Sequence, residues 1–188
     1  MRLLIIDNYD SFTRNLVQLV EQVDRCDFFI RKNDRLQDLN RKHFDKVLIS
    51  PGPGIATEAG DLIPFIQTYE NNTPMLGVCL GFEALGQIHG AVLKRLPQPL
   101  HGFRNRGKVL NNNGIFKGLP AVFYIGHYHS WYFEKETFPQ ELIIDMTDEQ
   151  DLIMAFHHAR LPLTGLQFHP ESIMTEHGEA MLKNWIGM

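Results

Sequence analysis

The segment Gly77-Val78-Cys79-Leu80-Gly81 sets a thiol between two glycines, each two positions away. The apolar run Met75 to Val78 before it reads as a strand, and Gly81 to His89 after it reads as a helix. Cys79 therefore stands on a sharp strand-to-helix turn. Such a turn forces a nucleophile into a strained backbone conformation, and glycine at the flanking positions avoids clashes that a Cβ would create. At a helix N-terminus the free amides and the macrodipole favour the thiolate, the reactive form of cysteine, and the Leu80 N–H is set to face a developing oxyanion. The bland reading is a buried core cysteine, which the two glycines do not explain.

Two further segments complete a possible site. In Gly165-Leu166-Gln167-Phe168-His169-Pro170-Glu171 an apolar strand runs into a histidine, with a carboxylate two positions on. Residues i and i+2 of extended backbone face one side, so Glu171 can hold one nitrogen of His169 while the other faces a thiol. That is the orienter, base and nucleophile order of triad catalysis. Ser50-Pro51-Gly52-Pro53-Gly54 follows a third strand. Its glycines allow close backbone approach, and the Gly52 amide could complete an oxyanion hole with Leu80. A rigid turn and a backbone-bonded histidine are the structural alternatives for these segments.

The elements that must position these groups alternate. Leu3 to Ile6, Phe28 to Ile30, Val47 to Ile49 and Met75 to Val78 read as buried parallel strands. Phe12, Leu16, Leu19, Val20 and Val23 form a helical stripe capped by Asp10-Ser11, and Asp61 through Tyr69 supplies a helix with Pro64 in its first turn. This predicts an α/β fold, an open, doubly wound, mainly parallel sheet of flavodoxin-like type, with ligands at the carboxyl ends of the strands. Six further strand-like runs, from Val92-Leu93 to Leu163 through Phe168, predict a mixed or antiparallel C-terminal extension, closed by a helix over Glu176 to Ile186.

With 188 residues, 44% apolar, one domain over 1–188 is expected. The net charge of -4 carries no basic footprint for nucleic acid. Two cysteines, Cys26 and Cys79, make no disulfide framework, and no stretch approaches a signal sequence or membrane span, so a reducing cytoplasm is expected.

Together these segments resemble the class I, triad-type glutamine amidotransferases over essentially the whole chain. The opening Ile6-Asp7-Asn8-Tyr9-Asp10-Ser11-Phe12-Thr13 resembles the free-standing glutaminase subunits of anthranilate and aminodeoxychorismate synthases. The resemblance implies that Cys79 attacks the glutamine carboxamide, that His169 is its base and then acid, and that Glu171 orients the ring. It also implies glutamine binding at Gly52, Pro53, Gly54, Glu83, Ser130 and Trp131, no cofactor or metal, and, for a partner, a chorismate-binding synthase subunit. His101-Gly102 matches a further His-Gly element, and Tyr128-His129-Ser130-Trp131 stands where the family has Tyr-His-Ser-Leu.

One departure follows the nucleophile: the family reads Cys-Leu-Gly-His-Gln, and this chain reads Cys79-Leu80-Gly81-Phe82-Glu83. An ionised Glu83 accepts but cannot donate, and would repel the substrate carboxylate. It leaves open a catalytically silenced regulatory subunit, or a γ-glutamyl hydrolase releasing an amine in place of ammonia. Asp7 and Asp10 suggest a phosphoacceptor receiver module instead, but an aspartate after the third strand is missing there. His127-x-His129 with His157-His158 invites a metal reading; turn or surface roles are preferred for them. Met146, Met154, Met174 and Met181 read as core filler.

Overall fold

The computed structural model describes residues 1–23, 27–39 and 42–188, so Cys26 lies outside the described residues. Five strands are mutually parallel: β1 (Arg2–Asp7), β2 (Asp27–Lys32), β3 (Lys46–Ile49), β4 (Met75–Val78) and β9 (Leu163–Leu166). The remaining strands, β5 (Leu93–Val109), β6 (Val122–Phe133), β7 (Leu142–Asp148) and β8 (Ile153–His158), join antiparallel in one sheet of order β2-β1-β3-β4-β9-β8-β7-β5-β6.

Strand alternation assigns each central residue to one of two cores. Leu4, Ile6, Val47 and Ile49 pack with α2 (Leu62–Tyr69) and α3 (Leu80–Ile88) on one face. Leu3, Ile5, Leu48 and Leu76 pack with α1 (Thr13–Val23) and α4 (Gly178–Gly187) on the other. This is the doubly wound arrangement expected from runs apolar at every position.

Three readings need correction. The run Phe28 to Ile30 forms a parallel strand that is not buried: β2 is the sheet edge, and Phe29 is 40% exposed. Val92-Leu93 and Val109-Leu110 belong to the two ends of one long β5, bulged where it crosses Pro97 to Phe103. Met174 is only half-buried, whereas Met146, Met154 and Met181 are core.

The segment after β8 decides the site. β9 returns to pair parallel with β4, Val78 opposite Leu166, and the Cys79 N–H donates to the Leu166 carbonyl at 2.8 Å. The ends of β4 and β9 thus deliver Cys79 and His169 to the same carboxyl edge.

Candidate active site

Cys79 has φ 52° and ψ −103°, a left-handed backbone that a non-glycine residue holds only when its surroundings impose it. The imposing contacts are visible at the flanking glycines. A Cβ on Gly77 would lie 2.4 Å from the Gly81 carbonyl carbon and oxygen, and one on Gly81 would lie 2.8 Å from the Ile49 carbonyl oxygen. Only hydrogens at both positions let the strand and the helix cross so closely. Gly52 repeats the logic: its Cβ would come 2.5 Å from Leu80 Cδ2 and from Asn8 Cβ, so the Gly52 loop lies directly on the turn after Cys79.

Asn8 holds that loop. It is buried, its N–H donates to Ser50 Oγ at 2.9 Å, and its amide donates to the Ser50 carbonyl at 2.8 Å. No spacing rule marks Asn8 in the sequence; its function depends on β1 lying beside β3. Asp7, by contrast, is tied into an ion pair with Lys32 at 2.6 Å and accepts from the Tyr9 N–H.

His169 Nδ1 donates to Glu171 Oε1 at 2.7 Å, with both side chains essentially sealed from solvent. Nε2 of the same ring is buried and has no hydrogen-bond partner. The rings of Phe12 and Tyr128 meet the imidazole edge-on at 5.2 and 4.9 Å between centroids, and Tyr128 touches Ser172 through its hydroxyl at 3.2 Å. Thr175 Oγ1 donates to the His169 carbonyl at 2.6 Å and accepts from the Gly126 N–H, pinning the histidine to β6.

A cleft of about 340 Å³ opens over Cys79. Gly52, Pro53, Gly54, Glu83, Ser130 and Trp131 line it, so the residues predicted for substrate converge, while His169 and Glu171 are not part of its lining. Arg95 and His101 also face the cleft. Arg95 was not foreseen: it lies far along the chain in an arm of β5 without local motif, and only the pairing of Arg95 with Trp131 brings it over.

The expected thiolate is not the resting form. Burial pushes the Cys79 thiol well above its ordinary value, negative charge on Glu171 and Asp10, and on Glu83 once it ionises, adds to that, and only the Leu80 N–H at the sulfur opposes it. The sulfur therefore needs a base to take its proton. Glu83 differs from the sequence reading too: it is 2% exposed, and burial raises its carboxyl to about 8, against a hydrogen bond from Gln167 that lowers it. At neutral pH it carries no charge and does not repel a substrate carboxylate.

The histidines at 127 and 129 are not in turns or on the surface. Both are buried, in a chain running from Asp148 through Asn105, His127 and His129 to the Trp131 carbonyl at 3.0, 2.6, 3.0 and 2.7 Å. Both ends are acceptors. Neutral rings and one amide supply one proton fewer than these contacts require, and burial pushes both imidazoles down to about 4, so neither ring gains the extra proton at pH 7. Both rings are thus neutral, and His129 reaches the backbone of Trp131 at its carbonyl.

Away from the cleft, His89, Glu141 and His158 gather with possible ligand atoms within 4.8 Å of one another. His158 Nδ1 accepts from the Arg160 and Leu161 N–H groups, so a neutral ring carries its proton on Nε2 and has no second lone pair for a cation. Among the described residues no helix is long and apolar enough to cross a membrane.

The sequence pattern of the family described as Glutamine amidotransferase class-I matches residues 4–188. The chain belongs to this family. It is a glutamine amidotransferase, an enzyme that takes the amide nitrogen of glutamine as ammonia. Similar proteins include the Anthranilate synthase component 2 of Azospirillum brasilense, 40% identical over 187 residues that cover 98% of this chain and 94% of that one. The protein of the same name from Mycobacterium tuberculosis is 40% identical over 190 residues, covering 99% and 82%. The crystal structure of a Thermoplasma acidophilum protein described as part of a GMP synthase superposes with a TM-score of 0.87 over 100% of this chain and 92% of that one. At 23% identity that likeness speaks for the amidotransferase fold alone.

Proposed function

We propose that this amidotransferase hydrolyses glutamine at Cys79 and passes the ammonia to a chorismate-using synthase subunit. His169 Nε2 takes the thiol proton as the sulfur attacks the carboxamide carbon. The Leu80 and Gly52 amides receive the oxyanion, and the C–N bond breaks as the imidazolium returns its proton to the leaving ammonia. Water, deprotonated by the same nitrogen, then hydrolyses the thioester to glutamate and restores the thiol. Glu171 holds the ring and stabilises its cation. Gly52, Pro53, Gly54, Glu83, Ser130 and Trp131 form the glutamine subsite.

The observation that carries this reading is the sealed His169–Glu171 pair, whose free nitrogen has no other partner, at the end of the strand that pairs beside a cysteine in a strained turn. The names of the similar proteins favour the anthranilate-forming synthase over the aminodeoxychorismate-forming one. The chain would act as one domain in the cytoplasm.

Ammonia release from glutamine, with and without the synthase subunit, tests the reading. Cys79→Ala should abolish release and glutamine-dependent synthesis while synthesis from added ammonia persists. Loss of both syntheses would assign Cys79 to folding or docking instead. An amine released from γ-glutamyl compounds, with none from glutamine, would replace the reading by a γ-glutamyl hydrolase.

A further inference from the structure

Glu83 lies in the first turn of α3 and lines the cleft together with Cys79. Its Oε1 accepts from Gln167 Nε2 at 3.3 Å, while the side-chain Oε1 of Gln167 is buried without a partner. The ionisable groups around the cleft are Cys79 on the adjoining turn, and Arg95, His101, Tyr128 and His129 opposite. His169 and Glu171 follow Gln167 in the chain. Among the described residues no basic side chain forms an ion pair with Glu83; burial raises its carboxyl, and the hydrogen bond from Gln167 opposes that.

A carboxylate so placed, sealed and without a counter-ion, takes up a proton. The first-turn position in α3 pulls toward the anion, by less than about one pH unit, and does not reverse the balance. A protonated carboxyl has the hydrogen-bonding faces of a carboxamide: one oxygen accepts, as Oε1 does from Gln167, and the other donates.

Resting on the glutaminase reading of the cleft, we propose that Glu83 is a specificity-determining residue that works as a neutral acid, donating a hydrogen bond to an oxygen of bound glutamine. It takes the place of a carboxamide with the same two faces. Ionisation of Glu83 then has two effects. It removes the donor and sets a negative charge against the substrate carboxylate, and it raises the cost of forming the Cys79 thiolate close by. Glutamine use by this chain is thereby confined to conditions in which Glu83 keeps its proton.

The experiment compares kcat and KM for glutamine between the wild-type complex and Glu83→Gln, from pH 6.5 to 9.5, reading ammonia directly. For a group titrating at about 8 the protonated share falls from about nine tenths at pH 7 to about one tenth at pH 9. The ratio of wild-type to variant KM should therefore rise about tenfold across that interval. A ratio flat with pH, in a complex that does hydrolyse glutamine, overturns the proposal and leaves the glutaminase reading standing.

A second measurement is independent of turnover. In Cys79→Ala protein with 13C-labelled glutamate, the side-chain resonance missing from the Cys79→Ala/Glu83→Gln double variant reports Glu83. Its midpoint should lie well above the ordinary carboxylate range and move up when glutamine is added. A midpoint in the ordinary range, or one that moves down with glutamine, overturns the proposal. Glutamine that is neither hydrolysed by the complex nor bound by Cys79→Ala protein defeats the glutaminase reading, and this inference with it.

Discussion

Gly77→Ala adds one methyl group where the Cys79 turn has no room for it. The new carbon would sit 2.4 Å from the Gly81 carbonyl carbon and oxygen and 2.8 Å from the Phe82 nitrogen, whereas ordinary contacts begin at 3.4 Å. The shortfall is about 1 Å, and the obstacle is the backbone of the first turn of α3, which has no rotamer to give. Overpacking of this kind costs about 3 kcal/mol, at the upper end of the usual range. For a protein of this size that lowers Tm by roughly 6–12 °C. Relief by sliding α3 carries Cys79 by a comparable distance, and a 1 Å misplacement of a reacting group costs about a hundredfold in rate.

Thermal denaturation and ammonia release on the same preparation check both figures. Gly187→Ala is the control: nothing lies within 4 Å of its added carbon, and it sits at the end of α4, so it should be neutral or stabilising by up to about 0.5 kcal/mol. If Gly77→Ala melts within about 2 °C of wild type and keeps full kcat, the account of the turn as imposed by backbone contact is wrong.

Glu171→Gln should lower kcat by about 10²- to 10⁴-fold, less than Cys79→Ala, because the ring keeps a partner but its cation loses a counter-charge; single-turnover kinetics would register it. Glu83 binds its proton more tightly folded than unfolded, so it costs stability as pH rises from the ordinary carboxylate range through about 8. Urea titrations should accordingly find Glu83→Gln gaining on wild type between pH 5 and 7, by on the order of 3 kcal/mol, and no gain would mean a solvated carboxylate. His127 and His129 have the opposite sign: both are held neutral when folded, with values of about 4, so their stability is complete above about pH 6.5 and is lost as pH falls toward 4. Each ring should cost on the order of 2 kcal/mol at pH 5 relative to pH 7.5, and His129→Gln should flatten that loss in a comparison of urea midpoints.

Much of the candidate site's geometry was legible because it is local. A cysteine between glycines two positions away, and a histidine with a carboxylate two positions on, carry their geometry within single turns of chain. The structure keeps both, as the left-handed Cys79 and the 2.7 Å His169–Glu171 bond. The parallel strands announced themselves in the same way, by apolar runs without alternation, since burial on both faces leaves no polar phase.

What local pattern could not decide was anything set by the company a residue keeps. Phe28 to Ile30 look as buried as Leu3 to Ile6, and only the strand order makes β2 an edge. His127 and His129 look like turn or surface residues until β5 and β7 supply Asn105 and Asp148. Arg95 reaches the cleft through the long pairing of β5 with β6. The charge of Glu83 is the sharpest case. Its type and its place after Cys79 are written in the chain, but whether it is an anion or a neutral acid depends on how much water the fold removes around it. Residue types and short spacings, which need no partner, were determined by the sequence alone; exposure, protonation and the meeting of β4 with β9 were decided by the tertiary structure, because desolvation and long-range pairing are properties of the assembled fold.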